Sequence, residues 1–203
     1  MDSKDICVLK IYDETLRGTL LNIYRLLRNL NLREDLLKKV LDVVFRYIKD
    51  FKEKPRNERA LAAAALYISL KNPVSDGVYI PKSKLAASFG VEKDSLNWYI
   101  KALERKLGFV KVRGDGSSCC YIDPNGPTYN VIKVIVARRV REAVIEAIIQ
   151  GNGAYKKPLI VERILYDVFE KYRLLPQEYR GHTREIIEEL VSKEEESLKV
   201  MVK

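Results

Sequence analysis

The chain has 203 residues, of which 47% are hydrophobic and 32% charged, with a net charge of +9 and a sequence pI near 9.3. It contains no run of about 18 apolar residues, so it predicts no membrane span, and its first residues lack the basic start and apolar core of a signal peptide. The positive charge favours an anionic partner, of which nucleic acid is the commonest, in a protein that we expect to be cytoplasmic.

Two amphipathic helices are predicted in the first fifty residues, after an apolar alternation at residues 6–12 that fits a strand or an arm. The first helix follows Asp13, which suits the N-cap position, and ends at Asn31. The second begins near Arg33 and stops before Pro55. Both carry apolar residues at spacings of three and four, so each should bury one face.

A third, central helix is predicted from Arg59 to Lys71. Nearly every position between Ala60 and Leu70 is apolar, and four consecutive alanines within it would allow other helices to approach closely. The run is too short to span a membrane, which needs about 20 apolar residues. Asn57 fits its N-cap. We therefore expect this helix to be buried at the centre of a helical bundle.

The segment IPKSKLAASFGVEKDSLNWYIKALERKLG predicts two helices, from Lys82 to Phe89 and from about Lys93 to Leu107, with a tight turn at Gly90. This pattern is typical of a helix-turn-helix, whose second helix would enter the major groove of DNA. A simple helical hairpin within a bundle is the alternative. The candidate DNA contacts on the two helices are Lys82, Lys84, Lys93, Asn97, Lys101 and Arg105.

A β-hairpin is predicted from the short runs FVKVR and CCYI, which flank the turn GDGSS. Alternation in the first strand places Lys111 and Arg113 on one face, where they are candidate contacts to the DNA backbone. A hairpin at this position would be the wing of a winged helix, and a plain linker is the alternative. Between Lys101 and Arg141, nine basic and three acidic residues give +6 of the chain's +9.

The turn DPNGP is the predicted domain boundary, which divides the chain into domains at 1–122 and 123–203. Three helices are predicted in the second domain, followed by an acidic and frayed tail; their bounds are Val131 to Ile149, Ile160 to Leu174, and Arg184 to Val191 with Thr183 as its cap.

The reactive side chains predict no metal or catalytic site. Cys7, Cys119 and Cys120 lack the spacing of zinc ligands, and His182 is the one histidine. We expect reduced thiols, no cofactor and no bound metal. No constellation of acid, base and nucleophile stands out, so the sequence favours a protein that is not an enzyme.

Residues 14 to about 107 resemble a cyclin-like repeat, specifically the repeats of the archaeal transcription factor B family. The resemblance is carried by RNERALAAAALYISLK as the third helix and IPKSKLAASFGVEKDSLNWYIKALERKL as the fourth and fifth, after NLNLREDLLKKVLDVVFRYIKD as the second. It implies a five-helix bundle that acts in transcription, with double-stranded DNA and other transcription proteins as partners.

The sequence also departs from that family. It lacks the N-terminal cysteine quartet of a zinc ribbon, which puts recruitment of RNA polymerase through such a ribbon in doubt. Residues 128–203 predict three helices instead of the five of a second repeat, so they are either a diverged repeat or an unrelated helical cap. The hairpin is unexpected in a cyclin repeat and favours a winged-helix element at 57–122.

The sequence therefore predicts a mainly α protein: a cyclin-like five-helix bundle containing a helix-turn-helix, then a short β-hairpin and a C-terminal helical region. The first hypothesis for its function is a DNA-binding protein of transcription, similar to a transcription factor B core without the zinc ribbon. The alternative is a cyclin-like adaptor that binds other proteins without contacting DNA. The sequence sets neither the target site nor the oligomeric state.

Overall fold

A computed structural model describes residues 14–51, 54–73, 80–114, 118–150 and 155–201, so the alternation at 6–12, Asp13 and Cys7 lie outside the described residues. The protein is mainly helical with one two-stranded antiparallel sheet, as predicted. No helix in the described ranges is both long enough and apolar enough to span a membrane. The chain divides into two compact units, the N-terminal unit Met1–Phe109 and the C-terminal unit Val110–Lys203.

The N-terminal unit contains the five predicted helices. Asn31 ends the first one in a left-handed conformation (φ 49°), which asparagine tolerates better than most residues. The helix bounds are α1 Glu14–Arg28, α2 Glu34–Phe51, α3 Glu58–Leu70, α4 Lys82–Phe89 and α5 Lys93–Leu107.

Helix α3 is the centre of this unit, and the prediction of a buried central helix is confirmed. Every residue from Ala60 to Ser69 is buried, and α3 contacts each of the other four helices. The N-cap is Asn57, whose Oδ1 accepts a hydrogen bond from the backbone N–H of Ala60 at 3.0 Å. The alanines allow neighbouring helices to approach from several sides, which explains why a helix without a polar face is stable here.

The C-terminal unit begins with the hairpin, and its helices follow. The strands pair in antiparallel register, with Val112 opposite Cys120 and Arg113 opposite Cys119. The element bounds are β1 Val110–Arg113, β2 Cys119–Ile122, α6 Pro127–Gln150, α7 Lys157–Tyr166 and α8 Arg180–Met201.

The hairpin packs into the core of the C-terminal unit. Val112, Cys120 and Ile122 are buried in one hydrophobic cluster with residues of all three C-terminal helices. Gly114, at the end of β1, lies so close to Tyr179 that an added Cβ would fall 2.9 Å from the tyrosine ring. The sequence pattern placed the domain boundary after the hairpin, at residue 122. In the structure, the division between the two compact units lies before the hairpin, between Phe109 and Val110.

The segment between α7 and α8 is irregular, although the sequence predicted a helix continuing to Leu174. Residues Asp167–Lys171 form a π-helical turn, in which the N–H of Tyr172 donates to the carbonyl of Asp167 at 2.9 Å. A 3₁₀ turn follows at Gln177–Tyr179. The wider turn adds a residue to the helix. Asp167, at the start of the turn, is fully buried.

Helix α8 is longer than predicted at both ends. It begins at Arg180, and Thr183 is not its cap; this residue is buried and its hydroxyl donates to the carbonyl of Tyr179 at 2.7 Å. Its predicted frayed tail is helical to Met201. Two acidic side chains of the tail have partners, since Glu194 pairs with Arg141 at 3.6 Å and Glu195 accepts a hydrogen bond from the hydroxyl of Tyr155.

Candidate nucleic-acid interface

A tight turn at Gly90 sets the start of α5, as the sequence predicted. Gly90 is left-handed, with φ 61° and ψ 41°. Its N–H donates to the carbonyl of Ala87, and the N–H of Val91 donates to the carbonyl of Ala86, both at 3.0 Å. These two bonds close a Schellman motif, which satisfies the last carbonyls of α4 and lets the chain turn directly into α5.

Four of the predicted contact residues form a row along α5. Lys93, Asn97, Lys101 and Arg105 follow one another at intervals of four, so they are neighbours on the helix surface. The three cationic side chains are exposed, and Asn97 is half-buried. Among the described residues, these three cations form no ion pair. We call this row the α5 stripe.

The other two predicted contacts on these helices have different surroundings. The ammonium group of Lys82 donates to Oδ1 of Asn97 at 2.9 Å and lies 5.2 Å from the ring centroid of Tyr67. Lys82 therefore positions Asn97, whose amide nitrogen is left as the group that can donate to a ligand. Bidentate reading of adenine would need both amide atoms, and the Lys82 contact disfavours it. Lys84 is exposed on α4.

A cleft that sequence reasoning missed adjoins the C-terminal end of the α5 stripe and shares Arg105 with it. It has a volume of about 600 Å³ and is bounded by α5, by α2 and by the segment before α3. We call it the Trp98 cleft. Three aromatic residues line it, namely Tyr47, Trp98 and Tyr99, and four cationic residues surround them, namely Lys54, Arg56, Arg105 and Lys106. The one tryptophan of the sequence lies in a helix with four basic and two acidic residues, and it was the signal that could have drawn attention to the cleft.

The two predicted contacts of the hairpin lie in the C-terminal unit. Lys111 and Arg113 are exposed on one face of β1, whereas Val112 between them is fully buried. Tyr121, which pairs with Lys111 across the hairpin, is itself buried. The alternation predicted for this strand is therefore confirmed, and the exposed side chains of β1 are the two cations.

The concentration of charge between Lys101 and Arg141 is weaker in the structure than in the sequence. Arg139 makes a bidentate pair with the buried Asp167, and Arg138 also contacts this carboxylate at 3.3 Å. With Arg141 held by Glu194, all three arginines of α6 are paired within the C-terminal unit. Neighbouring carboxylates therefore offset part of the positive charge of this helix.

The distribution of charge between the units points to the N-terminal one. Its sequence contains 21 basic and 14 acidic residues, against 16 and 14 in the C-terminal unit, which gives net charges of +7 and +2. The charge that favours an anionic partner therefore belongs mainly to the unit that contains the α5 stripe and the Trp98 cleft.

The cysteines of the hairpin are not arranged as a chelating pair. Cys119 is half-exposed and Cys120 is buried, because successive residues of a strand point to opposite faces. Across the described ranges, no three His, Cys, Asp or Glu side chains are grouped as metal ligands.

Comparison of the chain with models of known protein families gives no match, and comparison with curated protein sequences gives no significant similarity. The resemblance to transcription factor B repeats thus stays a prediction.

Proposed function

We propose that the protein binds double-stranded DNA in transcription, using α4 and α5 of its N-terminal unit as a helix-turn-helix within a cyclin-like bundle. The observation that supports this most is the α5 stripe, where Lys93, Lys101 and Arg105 are exposed and unpaired within the described part of the chain. At a rise of about 1.5 Å per residue, the stripe spans roughly 18 Å. A duplex offers a phosphate charge for about every 1.7 Å of its axis, so a row of this length can meet several phosphates.

The side chains of the stripe have separate roles in this proposal. Lys93 and Lys101 contact phosphates. Such contacts position the protein on the duplex but do not discriminate between base sequences. Arg105 has the planar donor set that suits either a phosphate or guanine. Asn97, held by Lys82, donates from its amide nitrogen to an acceptor on a base edge or the backbone. Lys84 on α4 adds a further phosphate contact.

Lys111 and Arg113 are proposed as phosphate contacts of the C-terminal unit. The support is that both are exposed side by side on one face of β1, and that no ion pair engages either of them among the described residues. Because Val112 anchors the strand in the hydrophobic core, the two cations project from a fixed backbone.

The test is a fluorescence-anisotropy titration of the protein with a labelled duplex at several salt concentrations. The logarithm of the binding constant should fall by about 0.9 per phosphate contact for each decade of salt. The variant Lys93→Ala with Lys101→Ala should bind more weakly, with a slope smaller by roughly two units. The control is Lys38→Ala with Lys39→Ala, which removes the same charge from exposed positions on α2.

Equal effects of the two double variants would mean that net charge, and not the α5 stripe, accounts for the binding. No binding to duplex at low salt would reject the proposal and favour the adaptor hypothesis, in which the bundle binds another protein. Either result leaves the fold of the N-terminal unit unchanged.

A further inference from the structure

We propose that the Trp98 cleft binds an unpaired nucleotide of a single-stranded nucleic acid, with the base on the indole ring and the phosphates on the surrounding cations. This site adjoins the α5 stripe, with which it shares Arg105, and its ligand goes beyond the proposed binding of duplex DNA.

Trp98 is an exposed aromatic ring held in a fixed place. Its side chain is 57% exposed, although the neighbouring Leu96 and Ile100 on the same helix are buried. It meets the ring of Tyr99 edge to face, with centroids 4.8 Å apart and planes at 83°. Tyr99 is in turn fixed by its hydroxyl, which accepts the backbone N–H of Asn57 at 3.1 Å. The indole is therefore available to a ligand without first having to be ordered.

The cations around the indole come from two segments of the chain. Lys54 and Arg56 precede α3 and are exposed, and Arg105 and Lys106 lie in the last turns of α5. The ammonium group of Lys106 lies 5.3 Å from the ring centroid of Tyr47. Among the described residues of the lining, Asp94 is the one that is acidic. Four cations against one carboxylate favour an anionic ligand.

An exposed aromatic platform beside a basic groove is the combination by which proteins bind single strands. A neutral peptide or an apolar ligand would not need the four cations, and a simple polyanion would not need the indole. In a duplex the faces of the bases are stacked on one another, so an intact duplex cannot place a base on Trp98. The volume of the cleft, about 600 Å³, lies within the range of about 300–1,000 Å³ that is common for sites of small ligands.

The intrinsic fluorescence of the protein tests this directly, because Trp98 is the only tryptophan in the sequence. An oligothymidylate of about ten nucleotides should quench or shift the emission with saturation. An abasic oligomer of the same length keeps the phosphates and lacks the bases, so it should bind about ten-fold more weakly and leave the emission nearly unchanged. Equal affinity for the two oligomers would overturn the proposal, as would the absence of any spectral response.

Thymidine monophosphate separates a strand from a free nucleotide. We expect it to bind more weakly than the oligomer, because it contacts fewer of the cations. Affinity equal to that of the oligomer would overturn the assignment to a strand and assign the cleft to a free nucleotide.

Variants supply a second readout through the anisotropy of a labelled oligothymidylate. Trp98→Ala should weaken binding by about ten-fold, whereas Trp98→Tyr, which keeps a stacking face, should lose much less. Arg56→Ala should weaken binding, and Lys39→Ala on α2, outside the cleft, should not. If Trp98→Ala and Trp98→Tyr both bind like the parent, the indole is not the platform.

The same variants distinguish this inference from the proposed function. Trp98→Ala should leave duplex binding and its salt slope unchanged, and Lys93→Ala with Lys101→Ala should leave the fluorescence response to oligothymidylate in place. Loss of both activities in Trp98→Ala, with an unchanged melting temperature, would mean that there is one nucleic-acid site and not two.

Discussion

The backbone N–H of Asn57 donates to the hydroxyl of Tyr99 at 3.1 Å, while the side chain of the same asparagine caps α3. One residue thus joins the start of the central helix to the middle of α5. Because Tyr99 also packs against Trp98, this bond connects the core of the N-terminal unit to the surface of the cleft.

Tyr99→Phe should lower the free energy of unfolding by about 1–2 kcal/mol, because it leaves a partly buried N–H without its acceptor while keeping the ring. Denaturant unfolding measures the change. Tyr166→Phe is the control, since this ring in the C-terminal unit is 57% exposed and should cost less than about 0.5 kcal/mol. Equal stability of the two variants would show that the bond to Asn57 contributes nothing.

Ala63→Leu or Ala64→Leu should destabilise the protein by roughly 1–3 kcal/mol, because both alanines are fully buried in α3 and the added atoms overpack the bundle. Thermal melting is the measurement. Ala87→Leu, at an exposed position of α4, adds the same atoms and should leave the melting temperature nearly unchanged. A shift in the α3 variants no larger than in this control would contradict the close packing of α3.

Gly90→Ala should cost about 1–2 kcal/mol, because a residue with a Cβ is strained at φ 61°. The cost is one of backbone conformation and not of collision, since the nearest atom to the new Cβ is Nη1 of Arg59 at 3.6 Å. Gly18→Ala should change the free energy of unfolding in the opposite direction. Gly18 lies within α1 with nothing near its Cβ position, so alanine should stabilise by about 0.5–1 kcal/mol. A comparison of the two by chemical denaturation checks both signs.

Asp167→Asn should destabilise the C-terminal unit by about 2–4 kcal/mol at pH 7, because Arg139 loses a bidentate partner while still three-quarters buried. Burial alone would raise the pKa of Asp167, but the hydrogen bonds and charges of Arg139 and its neighbours outweigh burial and hold the pKa below its usual value. A depressed pKa stabilises the folded state above the unfolded pKa of about 4, and that stability is lost as the pH falls through the folded value.

The difference in the free energy of unfolding between the parent and Asp167→Asn should therefore be largest at pH 7 and should become smaller below about pH 4. Urea unfolding at a series of pH values follows it. Glu142→Gln, at a carboxylate that is 44% exposed, serves as the control with a small effect. A difference that stays constant down to pH 3 would mean that the charge of Asp167 is not what matters.

Lys111→Ala with Arg113→Ala should weaken duplex binding to all sequences alike and reduce the salt slope by roughly two units. Asn97→Ala should instead reduce the preference between sites, by about 1–3 kcal/mol at a preferred base pair. Each variant is titrated with one preferred and one random duplex. If the hairpin variant matches the parent on both duplexes, with the same slope, the hairpin does not contact DNA.

The parts of the fold that the sequence predicted are those set by local rules. The spacing of apolar residues located the five helices described in the N-terminal unit, Asn57 and Gly90 marked helix ends, and alternation identified the strand around Val112. The features that the sequence did not predict depend on contacts between distant segments. The lining of the Trp98 cleft comes from three stretches of chain, near Tyr47, at Lys54 to Asn57 and along α5. Summing charge along the chain likewise missed the pairing of Arg139 with Asp167.

The π-helical turn at Asp167–Lys171 makes the C-terminal unit sensitive to the number of residues as well as to their kind. Deleting one residue of this turn would rotate the end of the helix by about 100° and would change the direction in which the following segment leaves it. Leu175 and Tyr179, which are now buried, would then turn away from the core that they help to fill. In any set of natural relatives, gaps should therefore be excluded between residues 167 and 179, while exposed residues of this stretch should vary more than the buried Leu175 and Tyr179.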